Sequence, residues 1–301
     1  MVNVALVKGT NRYESVTRAL NLIRDGIRPP DRPVLIKPNL VTAKAPKGEL
    51  ATTHLDAVVA TMDFLMGLGV KRFIVADGPG AGEKVADALD NFGYRELEKR
   101  YDVEFRDLNE DEPVEVTLFD SELKPKKYQI AKTVMDCYRV SVARMKTHNV
   151  VVVTLSIKNT VIGSLVGAAN KPPIHQGYPA INLSMARIAS IVPNDISIID
   201  GVVGMEGDGP VDGTAINSGM VLASADQVAC DTIGTELMGF DPENVGYLWY
   251  LKQMQGLSRR AIRVVGDRPQ ACKVTFKPHS KYQEQLSWRV SNWQSLLPRV
   301  A

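Results

Sequence analysis

The chain has 301 residues, of which 45% are hydrophobic, and this length is sufficient for a substantial apolar core. Its 36 basic and 34 acidic residues give a formal net charge of +2, so no strong overall field would draw it to nucleic acid or to a membrane surface. Cys137, Cys230 and Cys272 lie far apart without CxxC spacing, which argues against a disulfide scaffold, a structural zinc site or an iron–sulfur cluster within this chain.

The N-terminal stretch has no apolar run of signal-peptide length, and nowhere do eighteen uncharged apolar residues follow one another. We therefore expect a cytoplasmic protein in a reducing compartment, with neither a membrane nor a nucleic-acid partner.

Short β-branched runs alternate with helical patterns, which is typical of an α/β protein with a mostly parallel sheet and crossover helices. In the first part of the chain the pattern predicts strands at Val2–Val7, Pro33–Lys37, Arg72–Ala76 and Val103–Arg106, and helices at Tyr13–Ile27, His54–Leu68 and Glu83–Lys99. Further on it predicts strands at Tyr138–Ala143, Ile196–Ile199, Gly219–Ala223 and Ile262–Val265, with helices at Ile181–Val192 and Asp226–Met238.

The polar stretch 109–129 contains two prolines and indicates an antiparallel excursion or a boundary. We expect a single domain over 1–301 that has two closely joined lobes, about 1–108 and 130–301. Trp249, Trp288 and Trp293 all lie in the last part of the chain, where packing on their own domain is the favoured interpretation and a homodimer contact the alternative.

Polar clusters follow the predicted strands, and ligands in open α/β sheets bind at the carboxyl ends of strands. Lys37 and Asn39 follow one strand, where Lys37 would bind an anion; taken alone, a solvated lysine and a turn-forming asparagine explain the pair better. Thr53 and Asp56 match a capping pattern at the next helix, which leaves His54 as a neutral ring in the first turn.

A glycine-rich turn, Gly78–Gly82, follows Asp77 and precedes a helix. Such turns expose backbone N–H groups that suit phosphate or carboxylate, and Gly78 and Gly80 are the candidates for that role. The turn lacks the third glycine of a dinucleotide fingerprint, so a nicotinamide cofactor is weakly supported. Asp77 would bind a metal or a substrate hydroxyl, with turn stabilisation as an equal alternative.

The densest region holds Lys146, His148, Lys158, Asn159 and His175 around an uncharged apolar run. A lysine buried without a partner is costly, so these lysines are the leading candidates for anion binding or proton transfer. The histidines would act as acids or bases, and their spacing matches no short metal motif.

A last region, Asp200–Pro210, is interpreted as a glycine-rich loop that carries acidic groups. Asp200 and Glu206 would serve as a base or as cation ligands, while Gly207 and Gly209 would let the backbone approach a ligand. The alternative is a flexible turn with solvated acids.

Together these stretches resemble the domain of unknown function 362 family, over about Pro33 to Leu237. The resemblance rests on Lys37-Pro38-Asn39, Thr53-His54, Asp77-Gly78-Pro79, Lys146 and His148, Lys158-Asn159 with Gly163, Asp200-Gly201 and Met205-Glu206-Gly207-Asp208-Gly209-Pro210. The resemblance implies that family members share a site, and it says less about which reaction they catalyse. Many relatives are fused to ferredoxin-like modules, whose cluster-binding cysteines this chain lacks.

A fainter likeness is to lactate racemase-like proteins, which hold a nickel pincer cofactor with lysine and histidines; Lys158 and His175 are the residues to compare.

The preferred hypothesis is an enzyme that binds a small carboxylate or phosphate. The alternatives are an electron-transfer accessory protein with a ferredoxin-like partner and a divalent-metal-dependent, racemase-like enzyme. The catalytic candidates are Lys146, His148, Lys158, His175 and Glu206. The substrate-binding candidates are Lys37, Asn39, His54, Asp77, Gly78, Gly80, Asn159, Asp200, Gly207 and Gly209.

Overall fold

A computed structural model describes residues 1–29, 32–44, 47–80, 82–167, 169 and 171–297. Twelve strands are found in these ranges: β1 (Val2–Lys8), β2 (Val34–Pro38), β3 (Arg72–Asp77), β4 (Asp102–Asp107), β5 (Pro113–Phe119), β6 (Pro125–Ala131), β7 (Tyr138–His148), β8 (Val152–Thr154), β9 (Ile196–Glu206), β10 (Thr214–Ile216), β11 (Met220–Ser224) and β12 (Ile262–Gly266).

The α-helices within the same ranges are α1 (Arg12–Leu22), α2 (Lys47–Ala51), α3 (Leu55–Met66), α4 (Val85–Asn91), α5 (Lys132–Asp136), α6 (Ser156–Gly163), α7 (Lys171–Ile174), α8 (Tyr178–Ile191), α9 (Gln227–Leu237), α10 (Gly246–Gln255), α11 (Pro269–Cys272), α12 (Tyr282–Gln285) and α13 (Trp293–Leu296). Short 3-10 segments lie at Arg24–Gly26, Tyr94–Lys99, Pro242–Asn244, Arg259–Ala261 and Leu286–Trp288.

Ten of the strands form one mixed sheet in the order β12-β1-β11-β9-β7-β2-β3-β4, with β10 paired to β9 and β8 to β7. The pairs from β9 through β4 are parallel, whereas β11 runs antiparallel to both of its neighbours. The predicted α/β class with a mostly parallel sheet is therefore confirmed.

Apolar side chains pack on both faces of the sheet. Along β1, Val4 and Leu6 belong to one core layer, while Ala5 and Val7 belong to the other. Helices α6, α8, α9 and α10 contribute to the first layer, and α1, α3 and α4 to the second. Coverage on both faces explains why the central strands are continuously apolar rather than alternating.

The division into two lobes is not confirmed, because strands from both predicted lobes lie in the same sheet. The polar stretch between them forms the antiparallel hairpin of β5 and β6, which is a separate two-stranded sheet.

Several predicted boundaries were wrong, and two of them have an identifiable cause. The helix expected over Glu83–Lys99 ends at Asn91, because Gly93 takes a left-handed conformation with φ of 75° before a 3-10 segment begins. The predicted loop Asp200–Pro210 is strand down to Glu206. Gly201 lies within that strand. A Cβ at this position would lie 2.9 Å from Met145 Sδ, so glycine is needed for the close packing of β9 on β7.

The tryptophans pack within the chain. Trp288 and Trp293 are buried, and both of their ring centroids lie within 5.6 Å of the half-buried Trp249 ring. The guanidinium of Arg289 covers the Trp249 ring at 4.8 Å. Among the described residues, none of the helices combines the length and the apolar character that crossing a bilayer requires.

Candidate functional site

A small pocket of about 240 Å³ opens where the parallel strands β2, β3, β7 and β9 end. The chain continues from β2 to β3 on one side and from the adjacent strand β7 to β9 on the other, so the connections diverge between β2 and β7, which is where α/β sheets form ligand crevices. The residues lining the pocket are Asn39, Val41, Asp77, Gly78, Pro79, Gly80, His148, Asn149, Lys158, Asn159, Ile162, Gly163, Lys171, His175 and Pro210.

Lys158 is a buried cation at the pocket wall. It lies in α6, and only 9% of the residue is exposed. No described residue accepts a hydrogen bond from its Nζ or forms an ion pair with it. Burial, together with the nearby charge of Lys37, lowers the pKa of Lys158 to about 8.

The position of Lys158 depends on a capping carboxylate that the sequence interpretation missed. Asp231 of α9 accepts hydrogen bonds from the backbone N–H groups of Ser156 and Ile157, both at 3.0 Å, and from the Ser156 hydroxyl. These bonds satisfy the first N–H groups of α6, which is otherwise buried in the core. Burial raises the pKa of Asp231 to about 7.

Lys171 of α7 is a second pocket lysine, also missed from the sequence. Its Nζ donates hydrogen bonds to the carbonyl oxygen of Pro79 at 2.8 Å, to that of Gly78 and to Asn109 Oδ1. Burial lowers its pKa to about 8. Unlike Lys158, this lysine is held by three neutral acceptors and fixes the turn after β3.

Lys37 and Asp77 form a buried ion pair at the floor of the site. Asp77 also accepts hydrogen bonds from the backbone N–H groups of Leu40 at 2.6 Å and Gly78 at 2.7 Å. Gly163 of α6 lies directly against the pair, since a Cβ there would be 2.6 Å from Lys37 Nζ and 2.5 Å from Asp77 Oδ1. Lys37 is thus a partnered residue beneath the pocket, and it is Asp77 that reaches the pocket wall.

Two asparagines connect the pocket to a third buried lysine. Lys146 Nζ donates to Asn39 Oδ1 at 2.9 Å and to the Ala51 carbonyl at 2.8 Å. Asn39 Nδ2 in turn donates to Asn159 Oδ1 at 3.0 Å. Burial and the charge of Lys158 lower the pKa of Lys146 well below its usual range. Lys146 therefore supports the pocket from behind.

Charge is unbalanced around the pocket. The side chains of Lys37, Lys146, Lys158 and Lys171 are all buried there, and Asp77 is the buried carboxylate that pairs with one of them. Within the described ranges, the other three lysines have neutral hydrogen-bond acceptors or no partner. This arrangement favours an anion.

His148 and His175 line the same pocket, with ring centroids 6.4 Å apart and ring planes inclined by 27°. Burial lowers the pKa of His148 well below its usual range and that of His175 to about 4, and the charge of Lys158 adds to both effects. Both rings are therefore neutral at pH 7.

The turn that follows His148 is held in an unusual conformation. Val152 has a φ of 67°, which is rare for a β-branched residue. Gln285 stabilises this turn, because its Oε1 accepts from the Val152 N–H at 2.7 Å and its Nε2 donates to the His148 carbonyl at 2.9 Å. Strained backbone of this kind is concentrated at functional sites.

Eight of the fifteen predicted site residues line the pocket: Asn39, Asp77, Gly78, Gly80, His148, Lys158, Asn159 and His175. Lys37 and Lys146 lie directly behind it. Ala81, in the predicted glycine turn, lies outside the described residues.

The remaining acidic candidates have other partners. Asp200 is fully buried on β9 and pairs with Arg12 at 3.0 Å and Arg144 at 3.4 Å. Glu206 ends the same strand, where its Oε2 accepts from the Lys277 N–H at 2.8 Å. Gly207 and Gly209 follow, and the Thr147 hydroxyl donates to the Gly207 carbonyl at 2.8 Å, so this turn brings Pro210 to the pocket.

His54 is the N-cap of α3, and its Nδ1 accepts from the Asp56 N–H at 3.2 Å. The prediction that Thr53 caps this helix was wrong. The Thr53 hydroxyl instead donates to the Val142 carbonyl at 2.7 Å and accepts from the Asn39 N–H at 2.9 Å, because Thr53 bridges the ends of β2 and β7.

The described part of the chain offers little for a metal ion, since no three side chains of His, Cys, Asp or Glu within it form a group that could hold one. The three cysteines are unpaired and buried. Burial raises the pKa of Cys137 to about 11 and that of Cys230 well above its usual range.

Comparison with known proteins gives one family match, which covers residues 34–236 and carries the description "domain of unknown function (DUF362)". The chain is also 28% identical, over 281 residues, to a thylakoid-associated protein of Synechocystis sp. strain PCC 6803; the alignment covers 91% of this chain and 78% of that protein. A crystal structure of a Thermotoga maritima protein matches 66% of the chain with a TM-score of 0.39 and 14% identity. The chain spans about half (52%) of that protein.

Proposed function

The chain belongs to the DUF362 family, and from the geometry of its pocket we propose that it is an enzyme that binds a small molecule through a carboxylate or phosphate group. The observation that carries this proposal is the amino group of Lys158, which reaches the pocket on a largely buried side chain and has no partner among the described residues.

An ammonium group that is largely withdrawn from water and has no partner is costly. Taking it out of water costs several kcal/mol, and an anion in the pocket would recover part of this through a charge-assisted hydrogen bond. Lys171 adds positive potential, whereas the nearby carboxylate of Asp77 is already engaged by Lys37 and two backbone N–H groups. An anion is therefore the complementary ligand.

The size of the pocket restricts this ligand. A volume of about 240 Å³ lies below the range of pockets that hold drug-sized molecules. A nucleotide cofactor would exceed it, whereas a metabolite of a few carbons carrying one anionic group would fit.

The proposal of catalysis rests on the two histidines beside Lys158. Neutral imidazoles exchange protons readily, and both rings border the space that the ligand would occupy. A purely structural pocket has no need for two buried histidines whose pKa values are lowered by burial and by the neighbouring lysine.

The test is isothermal titration calorimetry with acetate, pyruvate, sulfate and phosphate at pH 7. We expect at least one anion to bind with one-to-one stoichiometry, and Lys158→Met to weaken binding by about 10- to 100-fold, as for loss of a hydrogen bond to a charged group. Lys99→Met is the matched control, because the Lys99 side chain is 72% exposed and pairs with Glu96. Absence of binding for all four anions, or equal affinity in Lys158→Met, would reject the proposal.

A further inference from the structure

The hydrogen bonds of His148 determine which of its nitrogens carries the proton. Its Nδ1 lies 3.0 Å from the backbone N of Val150 and 3.4 Å from that of Val151. Backbone N–H groups only donate, so Nδ1 must be an unprotonated acceptor. In the neutral ring the proton is then on Nε2, which makes Nε2 a hydrogen-bond donor.

His175 has the opposite arrangement. Its Nδ1 lies 2.7 Å from the carbonyl oxygen of Lys171, and a carbonyl oxygen only accepts. Nδ1 must therefore carry the proton, and Nε2 holds a lone pair that can accept a hydrogen bond or a proton. Within the described part of the chain, neither Nε2 atom has a hydrogen-bond partner.

Two stacked, neutral imidazoles thus present one donor and one acceptor at the same pocket wall. The titratable groups that bear on His148 are Lys158, Lys146, His175 and His279, and Lys158 bears on His175 as well. Without a bound anion these groups oppose protonation of the rings, so the two tautomers persist at neutral pH.

We propose that the pocket catalyses enolisation of a small anion with a carbonyl group next to a C–H bond, such as a 2-oxo acid or a phosphorylated ketone. This inference rests on the proposed anion site, since Lys158 would hold the carboxylate or phosphate. The donor of His148 and the acceptor of His175 supply the two groups that enolisation requires.

In this step the C–H bond breaks, and the proton moves to His175 Nε2. The electron pair of that bond forms the carbon–carbon double bond of the enolate, and the carbonyl π pair moves to oxygen. The oxygen accepts a hydrogen bond from His148 Nε2–H. The reverse step returns a proton from His175 to carbon, so no oxidant, reductant or second substrate is consumed.

The test is exchange of carbon-bound hydrogen with solvent deuterium, which detects enolisation without knowledge of the product. The full chain is incubated in D₂O with pyruvate or with dihydroxyacetone phosphate, and loss of the C–H signal is followed by ¹H NMR. We expect exchange with at least one compound, and a decrease of about 100-fold or more in His175→Gln, in the range for loss of an acid–base group. Lys99→Met is the control, because the Lys99 side chain is 72% exposed and pairs with Glu96.

A second measurement does not depend on variants. Nitrogen-15 NMR of the histidine rings at pH 7 should show His148 protonated on Nε2 and His175 on Nδ1. The same tautomer in both rings, or a protonated imidazolium, would overturn the proposal.

The outcomes separate this inference from the proposed function. If pyruvate and dihydroxyacetone phosphate saturate the site without exchange, enolisation is rejected and the anion site stands. If neither compound binds while acetate or phosphate does, the carbonyl-bearing substrate class is rejected. If no anion binds, both proposals fail.

Discussion

Lys37 and Asp77 form a buried ion pair that joins the carboxyl end of β2 to that of β3. Removing one partner of such a pair leaves an uncompensated buried charge and typically costs 3 to 5 kcal/mol, whereas removing both costs less. We therefore predict that Lys37→Met lowers the free energy of unfolding by about 3 kcal/mol. The double variant Lys37→Met/Asp77→Asn should recover part of this loss in urea denaturation. A double variant less stable than the single one would show that the two residues act independently.

The close approach of α6 to this pair predicts a steric effect at Gly163. A Cβ there would lie 2.6 Å from Lys37 Nζ, so Gly163→Ala should destabilise the fold by about 1 to 3 kcal/mol through overpacking. Gly80→Ala is a control in the same pocket, because nothing lies within 4 Å of a Cβ at that position. Equal changes in the melting temperatures of the two variants would contradict the packing described here.

Lys158 should reduce the stability of the ligand-free protein. In the folded state its pKa is about 8, below the value of 10.5 for a free lysine, so the folded state binds fewer protons between these limits and stability rises with pH there. Lys158→Met should therefore stabilise the protein at pH 7, by on the order of 1 to 3 kcal/mol, and the gain should shrink above pH 8. Urea unfolding at pH 7 and pH 10 measures this, and a destabilised Lys158→Met variant at pH 7 would refute it.

The two pocket histidines should make the protein sensitive to mild acid. Both folded-state pKa values lie below the usual 6.5, with His175 at about 4, so the unfolded chain binds more protons as the pH falls from 6.5. Stability should then fall by up to about 1.4 kcal/mol per pH unit for each histidine. The variant with both His148→Gln and His175→Gln should show a shallower slope between pH 6.5 and pH 5. An unchanged slope would mean that other groups cause the acid sensitivity.

The sequence predicted those parts of the site that follow strands. Asn39, Asp77 and His148 each come directly after or at the end of a parallel strand, and the shared edge of the sheet brings them together. The strands that form this edge are encoded in local apolar runs, so their positions could be predicted from one sequence.

The rest depends on contacts between distant residues. Lys171 lies in a four-residue helix that has no recognisable pattern, and its acceptors, the Gly78 and Pro79 carbonyls, are more than ninety residues away. In the sequence, Asp231 is an ordinary polar residue of a predicted helix. Its capping role can be recognised only when α6 is known to pack against that helix. The glycines of β9 were interpreted as signs of a loop. Their structural role is close packing against Met145 of β7, and this contact with another strand is not visible in the local sequence.

If Lys158 binds an anion, protons should be taken up on binding at pH 8.5, and their number can be measured. An anion beside Lys158 should raise its pKa from about 8, so binding of acetate, pyruvate or sulfate should take up more than about half a proton. Calorimetry in buffers of different ionisation enthalpy gives this number. Uptake of this size in the unmodified protein, and its loss in Lys158→Met, would support the claim. Binding without proton uptake, or uptake as large in Lys158→Met as in the unmodified protein, would contradict it.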